Sequence, residues 1–512
     1  MTSDPCRVAR AGAKDSRAVH RARTEHAARA STRRGRRRAI SLLVLLALGV
    51  TATSKASAPE GSIEAFVDRE LPASGAPGLA YAVVIDGDVA TVAARGLLSA
   101  GGDQEVTPDT PFLTGSISKS FTALAVMQLV EAGDVELDAE LERYLEVFKG
   151  RPAGAITIRH LLSHTSGYST LQGNAPYEDE TGAPDEIERR VARVAEALRP
   201  PYSPGARWEY SNLNYLILGR LIEVVSGQDY ETYIERNILE PVGMRNSFVA
   251  DGATHDAMAT GHRPWFGVKT PLEMSQLARS TGPQGGVVAS ANDLARYMRV
   301  MVNGRDDLLS ADGKAMMMRP ASEASPFYGF GWFIGDGSAW HSGSSPGVET
   351  LMTLVPSKRN GVVVLTNAGS GTGFAETSQL RKGITASALG RDYDGEGSRW
   401  SQKALFVALT CAPVVFLLCI AWAWRDREAI RAKAGAFGLF SLWFPLLTTL
   451  GGAWIILGLV PRLFGVPIAT LRRFQPDFGL VLIATAVTGV LWAVLRLVVA
   501  YTGKRRASGE RA

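Results

Sequence analysis

Cysteine is scarce in this chain of 512 residues, and its three copies, Cys6, Cys411 and Cys419, lie near the two ends. Residues 59–399 contain no cysteine. This central segment therefore has no disulfide bond, no thiolate metal site and no cysteine nucleophile. Covalent catalysis within it would need a different nucleophile.

The central segment also lacks an excess of positive charge. The chain as a whole has a net charge of +5, but residues 1–58 have +10, residues 400–512 have +9 and residues 59–399 have −14. Binding to nucleic-acid phosphates requires clustered Lys and Arg side chains. We therefore expect no nucleic-acid partner.

Residues 1–58 have the layout of an export signal. The basic run RRGRRR at 33–38 precedes the apolar run AISLLVLLALGVTA at 39–52, and Ala56-Ser57-Ala58 follows. This order is typical of a secretory signal peptide and predicts cleavage after Ala58. An uncleaved signal anchor is the alternative, although the apolar run is short for a membrane span.

The C-terminal segment, 396–512, contains three apolar stretches long enough to cross a bilayer. They lie at about 403–424, 435–460 and 478–500. If the central segment is exported, the loop 425–433 and the C-terminal tail lie inside and the loop 461–477 lies outside. Eight basic residues inside against three outside agree with the positive-inside rule. The sequence thus predicts a multi-pass cell-membrane protein whose central domain is extracytoplasmic, whose C-terminus is cytoplasmic and whose partner is the lipid bilayer.

The pattern of the central segment predicts an α+β fold. Two apolar runs within 80–96 flank Asp86-Gly87-Asp88, which is a hairpin signal, and strand-like runs return at 327–367. Helical periodicity dominates between them. The expected helices are 114–131, 155–162, 185–198, 214–238 and, at the end, 374–389. Strands at both ends with helices between them predict a mixed domain with an inserted helical domain.

Ser116-Ile117-Ser118-Lys119 places a hydroxyl and an amine on one helical face, near a helix start. A serine there can act as a nucleophile if a base takes its proton, and a lysine can be that base if burial lowers its pKa. The free N–H groups of the first turn can stabilise an oxyanion. A capping serine beside a surface lysine is the alternative.

Tyr210-Ser211-Asn212 follows a Pro-Gly turn and precedes a predicted helix. A tyrosine can move protons between a nucleophile and a leaving group, and an asparagine can bind a substrate amide. A packing aromatic residue followed by an N-capping asparagine is the alternative.

His341-Ser342-Gly343 lies between the predicted strands 328–334 and 349–355. On an edge strand, these residues are suited to binding a substrate carboxylate or carbonyl, because glycine allows close approach to the backbone. An ordinary turn histidine is the alternative.

Two other patterns are set aside. Gly343-Ser344-Ser345-Pro346-Gly347 matches the nucleophile elbow of α/β-hydrolases, but no histidine follows Ser345, and that fold needs one. His160 and His164 have the spacing of a metal pair, but no third ligand is evident, and we expect helix packing and capping instead. We predict neither a metal nor a cofactor.

Taken together and in this order, the three motifs resemble those of the serine β-lactamase and penicillin-binding protein superfamily. The similarity extends over about 62–390 and is strongest to the branch of class C β-lactamases and D-Ala-D-Ala carboxypeptidases, which includes esterases and D-aminopeptidases. It implies the β-lactamase/transpeptidase-like fold, with an antiparallel sheet flanked by helices, and a serine hydrolase domain at 59–395.

The resemblance also implies roles for individual residues. Ser116 would be the acylated nucleophile, Lys119 its proton acceptor and Tyr210 the general acid/base. Asn212 would bind the substrate amide, and the backbone N–H groups of Ser116 and Ser344 would form the oxyanion hole. His341, Ser342 and Gly343 would bind the substrate. Histidine at 341, where β-lactamases of this branch usually have lysine, favours peptidase or esterase activity over β-lactam hydrolysis.

The leading hypothesis is a membrane-tethered, extracytoplasmic serine hydrolase acting through an acyl-enzyme on D-amino-acid peptides, esters or β-lactams. Its substrate would be a small molecule or a peptide, with cell-wall peptides among the candidates. The alternative is a penicillin-binding or cell-wall-fragment sensor that is acylated without turnover and signals through its transmembrane helices.

Overall fold

The computed structural model describes residues 62–176, 182–273, 276–397 and 399–509. The proposed export signal, 1–58, lies outside these residues. The strands are β1 (Gly78–Ile85), β2 (Asp88–Gly96), β3 (Phe112–Leu113), β4 (Phe248–Val249), β5 (His262–Trp265), β6 (Val268–Pro271), β7 (Val287–Ala289), β8 (Phe333–Gly335), β9 (Ser338–Ser345), β10 (Val348–Val355) and β11 (Asn360–Thr366).

The α-helices include several single turns. They are α1 (Ile63–Ser74), α2 (Ser118–Glu131), α3 (Ile158–Leu162), α4 (Thr170–Gly173), α5 (Glu186–Ala197), α6 (Asn212–Ser226), α7 (Tyr230–Ile234), α8 (Glu240–Val242), α9 (Gly282–Gly285), α10 (Ala291–Val302), α11 (Ala311–Met317), α12 (Ser378–Ala388), α13 (Trp400–Arg425), α14 (Arg427–Arg431), α15 (Gly435–Trp454), α16 (Val460–Phe464), α17 (Ile468–Phe474) and α18 (Pro476–Gly509).

The main sheet has six antiparallel strands in the order β2-β1-β11-β10-β9-β8. The predicted hairpin is confirmed, since β1 pairs with β2 from Gly78 opposite Gly96 to Ile85 opposite Asp88. The strands come from the two ends of residues 78–366, and the helices α2 to α11 lie between them in the chain. The predicted α+β fold with an antiparallel sheet is therefore correct.

The two faces of β1 pack against different layers, as the alternation of side chains along a strand requires. Leu79, Tyr81 and Val83 pack with Leu380 of α12 and Phe66 of α1. The intervening residues Ala80, Ala82 and Val84 belong to the larger core on the opposite face, which includes α2 and α10. A buried strand with two covered faces explains its continuous apolar sequence.

Three features differ from the sequence prediction. The expected helix 214–238 ends at Ser226, because Gly227 adopts a left-handed conformation with φ of 69° and stops the helix. The expected strand 328–334 is reduced to Phe333–Gly335, with a single bridge from Tyr328 to Phe333. The helix expected from 114 begins with a 3₁₀ turn, Gly115–Ile117, which leads directly into α2.

Three C-terminal helices, Trp400–Arg425, Gly435–Phe464 and Pro476–Thr502, are long and apolar enough to cross a membrane. Many of their large apolar side chains are exposed, including Leu418 and Phe437. This agrees with the predicted apolar tail and favours membrane association. The sequence prediction missed the short helix α17, which lies between the second and third of these helices.

Candidate active site

Ser116 lies in the 3₁₀ turn before α2, and this turn packs tightly against strand β9. Gly115 has a φ of +56°, and a β-carbon there would lie 2.7 Å from the backbone nitrogen of Ser344. A β-carbon on Gly343 would lie 1.9 Å from the Thr114 carbonyl oxygen. Both glycines are therefore needed to bring the backbone of β9 next to the serine.

The amine of Lys119 lies beside the hydroxyl of Ser116 and is completely buried. Its Nζ is 3.1 Å from Ser116 Oγ, 2.9 Å from Asn212 Oδ1 and 2.6 Å from the carbonyl oxygen of Gln284. No ion pair with Lys119 occurs among the residues that the structure describes. Burial without a compensating carboxylate lowers the pKa of Lys119 well below its ordinary value.

The three contacts of Lys119 define how a neutral amine would sit in the site. Asn212 Oδ1 and the Gln284 carbonyl can only accept hydrogen bonds. A neutral amine has two hydrogens, and donating both to these oxygens leaves its lone pair for the remaining neighbour, Ser116 Oγ. Ser116 can then donate its hydroxyl proton to Lys119. The geometry is that of a serine paired with its general base.

Tyr210 completes the hydrogen bonding of Ser116 from the other side. Its hydroxyl donates to Ser116 Oγ over 2.9 Å. Burial raises the pKa of Tyr210 above its ordinary value, with a smaller opposing effect from the Ser116 hydrogen bond. The phenol therefore stays protonated at neutral pH and can donate a proton there. The ring packs against His164, with ring centroids 4.4 Å apart.

Asn212, the first residue of α6, connects Lys119 to the cavity wall. Its Oδ1 accepts from Lys119, and its Nδ2 donates to Asn174 Oδ1 over 3.0 Å. Its side chain also lines the cavity described below. Binding of a substrate amide by Asn212 stays a prediction.

His341 does not line the cavity beside Ser116, in contrast to the expectation for a substrate-binding side chain. It is buried in β9, and its Nδ1 donates to the carbonyl of Ser342 over 2.8 Å. Its Nε2 is 3.2 Å from the Tyr328 hydroxyl, from which it can accept. Burial, reinforced by the charge of Lys119, lowers the pKa of His341 to about 3. A neutral imidazole with both nitrogens engaged cannot supply a cation for a substrate carboxylate.

The other residues of this motif have separate positions. Ser344 is exposed and lines the cavity, and Ser342 is exposed without lining it. Gly343 packs against the 3₁₀ turn that contains Ser116. The backbone nitrogens of Ser116 and Ser344 are both at the junction of the turn with β9. Their predicted role as an oxyanion hole fits this position.

A cavity of about 710 Å³ opens beside Ser116. Its walls include parts of the loops 169–190 and 260–284. A further wall is formed by α17, since Thr470, Arg473 and Phe474 also line the cavity. The sequence did not predict this wall. No motif marked these residues. The only signal was their place in the predicted outer loop.

The paired histidines have structural positions. His160 caps α3, with its Nδ1 accepting from the backbone nitrogen of Thr157. His164 is buried, and its Nδ1 accepts from the backbone nitrogen of Ser211 and lies 2.9 Å from Asn214 Nδ2. Within the described ranges, no group of three His, Cys, Asp or Glu side chains is arranged to hold a metal ion.

A family model described as Beta-lactamase matches residues 63–385 of the chain, which is more than half of its length. The chain belongs to the beta-lactamase family. Members of this family with this fold are serine hydrolases. The match includes Ser116, Lys119 and Tyr210 but ends before the first of the three long apolar helices, so the tail is an addition to the family domain.

The similarity of the chain to individual proteins is consistent with its membership of the beta-lactamase family. Penicillin-binding protein 4 of Amycolatopsis lactamdurans is 31% identical over 323 residues, which are 58% of this chain and 82% of the relative. An octameric penicillin-binding protein homologue from Pyrococcus abyssi is 29% identical, with a TM-score of 0.54 over 64% of this chain and 77% of the other. SurE, solved with D-Leu, is 27% identical, with a TM-score of 0.51 over 65% of this chain and 76% of the other.

Proposed function

We propose that the protein is a membrane-tethered serine hydrolase that forms an acyl-enzyme on Ser116 and acts on D-amino-acid peptides or esters. The observation that carries the proposal is the buried amine of Lys119, 3.1 Å from Ser116 Oγ and without a carboxylate partner among the described residues. Such an amine is neutral and basic at a pH where an exposed lysine is charged.

In the acylation step, Ser116 Oγ attacks the substrate carbonyl carbon while its proton passes to Lys119 Nζ. The negative charge that develops on the carbonyl oxygen is stabilised by the backbone N–H groups of Ser116 and Ser344. When the bond to the leaving group breaks, the leaving nitrogen or oxygen takes up a proton. The Tyr210 hydroxyl, 2.9 Å from Ser116 Oγ, is the group positioned to pass that proton on. In the deacylation step, water attacks the acyl carbon and gives a proton to Lys119, the bond from this carbon to Ser116 Oγ breaks, the carboxylic acid leaves and Ser116 Oγ takes the proton back.

Two observations support a D-amino-acid peptide or ester as the substrate. His341 is neutral and internally hydrogen-bonded, so it does not supply the cation that its position has in β-lactamases of this branch. SurE, a structural relative, has been solved with D-Leu. Both favour peptidase or esterase activity over efficient hydrolysis of β-lactams.

The contacts of the tail are consistent with an extracytoplasmic position of the catalytic domain beside the bilayer. The ends of the three long apolar helices that contact the domain are the start of α13, the region after α16 and the start of α18. Helices that cross a membrane in succession alternate in direction, so these three ends lie on the same side. The loop 425–433 and the C-terminus then lie on the opposite, more basic side.

The test is intact-mass detection of the acyl-enzyme with a fluorophosphonate, a penicillin, D-Ala-D-Ala peptides and short-chain esters. We expect a mass addition on the wild-type protein and none on Ser116→Ala, with multiple turnovers of at least one D-amino-acid substrate. Continued hydrolysis by Ser116→Ala would contradict the proposal.

A sensor is the second candidate, favoured by one specific observation. The side chain of Asn174 accepts a hydrogen bond from Asn212 in the site. Asn174 also donates to the carbonyl of Gly465 and accepts from Thr470, both in the tail, so the site and the tail are in direct contact. Stoichiometric acylation without deacylation of any substrate would favour the sensor, and many turnovers per protein would eliminate it.

A further inference from the structure

The segment from the end of the second long apolar helix to the first turn of the third, Gly465–Asp477, is attached to the catalytic domain by hydrogen bonds. Thr470 Oγ1 donates to the carbonyl of Asn174 over 2.6 Å, and Asn174 Nδ2 donates to the carbonyl of Gly465 over 2.9 Å. Farther along, Asp477 is buried and accepts from the backbone nitrogen of Phe266 over 2.9 Å. The segment is therefore fixed at both ends rather than loosely tethered.

A chain of hydrogen bonds connects this segment to Lys119 through the side chains of Asn174 and Asn212. The amide of Asn174 donates to Gly465 and accepts from Asn212, and Asn212 in turn accepts from Lys119. The segment is thus two side chains away from the proposed general base. Its residues Thr470, Arg473 and Phe474 form part of the cavity surface on this side.

Arg473 is the cation of this wall. Its side chain is exposed, it lines the cavity, and no ion pair with it occurs in the described part of the chain. The other arginine at the cavity, Arg190, donates to Ser280 Oγ over 2.7 Å. Since His341 is neutral and buried, Arg473 is the residue positioned to supply the positive charge that His341 does not.

We propose that α17 is part of the substrate-binding site and that Arg473 binds a carboxylate on the acyl portion of the substrate. This inference rests on the proposed function and names the substrate class more narrowly, as acyl donors with a negatively charged acyl group. The planar guanidinium pairs with a carboxylate through two parallel hydrogen bonds.

The position of Arg473 decides which end of the substrate has the charge. Arg473 and Asn174 line the same cavity, and Asn174 is hydrogen-bonded to Asn212, the predicted ligand of a substrate amide. A carboxylate at Arg473 would therefore lie on the part of the substrate that contains this amide, which is the acyl portion of an N-acylated substrate. Two acidic residues, Glu186 and Glu273, also line the cavity. Their negative charge disfavours a dianionic phosphate more than a monoanionic carboxylate.

The experiment compares two D-alanine thioesters that have the same thiol leaving group and differ only in the N-acyl cap, which ends in a carboxylate or in a carboxamide. Hydrolysis and Ser116 acylation are measured with the full chain in detergent micelles or nanodiscs. For Arg473→Ala, we expect kcat/KM to fall about 10- to 100-fold for the carboxylate, mainly through KM, and less than about 2-fold for the carboxamide.

The matched control is Arg472→Ala, which removes the same charge from the same helix. Arg472 is exposed, packs over Gly479 and does not line the cavity. The inference is overturned if the two arginine variants have the same selectivity, or if Arg473→Ala weakens both thioesters equally. Arg473→Lys should restore part of the preference, since it keeps the charge without the planar fork.

The same data separate this inference from the proposed function. If Ser116→Ala still hydrolyses the carboxamide thioester, the acyl-enzyme proposal fails. If Ser116→Ala is inactive and Arg473→Ala has unchanged selectivity, the acyl-enzyme stands and the role of Arg473 fails.

Discussion

Two lysines of the catalytic domain are almost completely buried, and their surroundings differ in one respect. Lys314 Nζ is 2.7 Å from Asp307 Oδ1 and also donates to Asn303 Oδ1 and to the carbonyl of Val300. Lys119 also has three oxygen neighbours, but all of them are uncharged. Burial alone would raise the pKa of Asp307, yet its hydrogen bonds with Lys314 and Asn303 hold that pKa below its ordinary value.

The difference shows what burial does to a lysine with and without a carboxylate. Around Lys314, a paired charge stabilises the structure, and its removal would leave an uncompensated cation. Around Lys119, the missing carboxylate makes the ammonium form unfavourable and the neutral amine accessible. One pocket therefore holds a structural ion pair and the other a candidate base, although oxygen atoms surround both amines.

The largest effect should come from removing the amine of Lys119, the buried lysine that has no carboxylate neighbour. We expect Lys119→Met to lower the rate of Ser116 acylation by about 10³-fold or more, because no other base contacts Ser116 Oγ among the described residues. A quenched time course of acylation by an activated ester, followed by intact-mass spectrometry, would measure this rate. Acylation within about 10-fold of the wild-type rate would rule out Lys119 as the base.

We also expect a pH-dependent difference in stability between Lys119→Met and wild type. The pKa of Lys119 in the folded protein lies below its ordinary value, so the unfolded chain binds the proton of this amine more tightly than the folded protein does. Protonation therefore destabilises the wild-type protein: the effect is absent above the pKa of the unfolded state and grows as pH falls toward the pKa of the folded state. The free energy of unfolding of Lys119→Met, relative to wild type, should therefore increase as pH falls from about 10.5. A difference independent of pH would contradict this.

The next effect should come from making the site of Lys119 resemble that of Lys314. Asn212→Asp places a carboxylate where Asn212 Oδ1 now lies, 2.9 Å from Lys119 Nζ. An adjacent negative charge favours the ammonium form, so the pKa of Lys119 should rise and acylation at pH 7 should fall about 10- to 1,000-fold.

Asn212→Ala is the control for this substitution, since it removes the amide without adding charge. The aspartate variant should recover activity at higher pH, whereas the alanine variant should not have its rising limb displaced to higher pH. Identical pH profiles for the two variants would mean that the absence of a carboxylate does not determine the basicity of Lys119.

The smallest effect on catalysis should come from the other lysine. Asp307→Asn removes the charge opposite Lys314, whose side chain is 2% exposed, and should lower the free energy of unfolding by about 2 kcal/mol. The rate of acylation should stay within about 2-fold of wild type. Asp312→Asn, on an exposed position of α11, should change stability by less than about 0.5 kcal/mol. Chemical unfolding and acylation kinetics of both variants would test the contrast.

Much of this site was predictable from the sequence because its chemistry depends on short spacings. Ser116 and Lys119 lie three positions apart at the start of a helix, which places the hydroxyl and the amine on one face. The two apolar runs that flank Asp86-Gly87-Asp88 likewise predicted the hairpin of β1 and β2. The family resemblance then joined Tyr210 to this pair, and the structure brings its hydroxyl to Ser116.

The remaining features depend on tertiary contacts that no local pattern encodes. The burial of His341 follows from the packing of β9 against Tyr328. The end of α6 at Gly227 and the 3₁₀ turn at Ser116 are choices of backbone conformation that apolar periodicity does not distinguish. The contact of α17 with the cavity joins residues about 300 positions apart, such as Asn174 and Thr470.

The most direct test of the central claim is the pH dependence of the Ser116 acylation rate in the wild-type protein. The account predicts a rising limb well below pH 10.5, where the buried amine of Lys119 loses its proton, and the loss of that limb in Lys119→Met. A rising limb at or above pH 10.5, or one that persists in Lys119→Met, would show that Lys119 is not the base that activates Ser116.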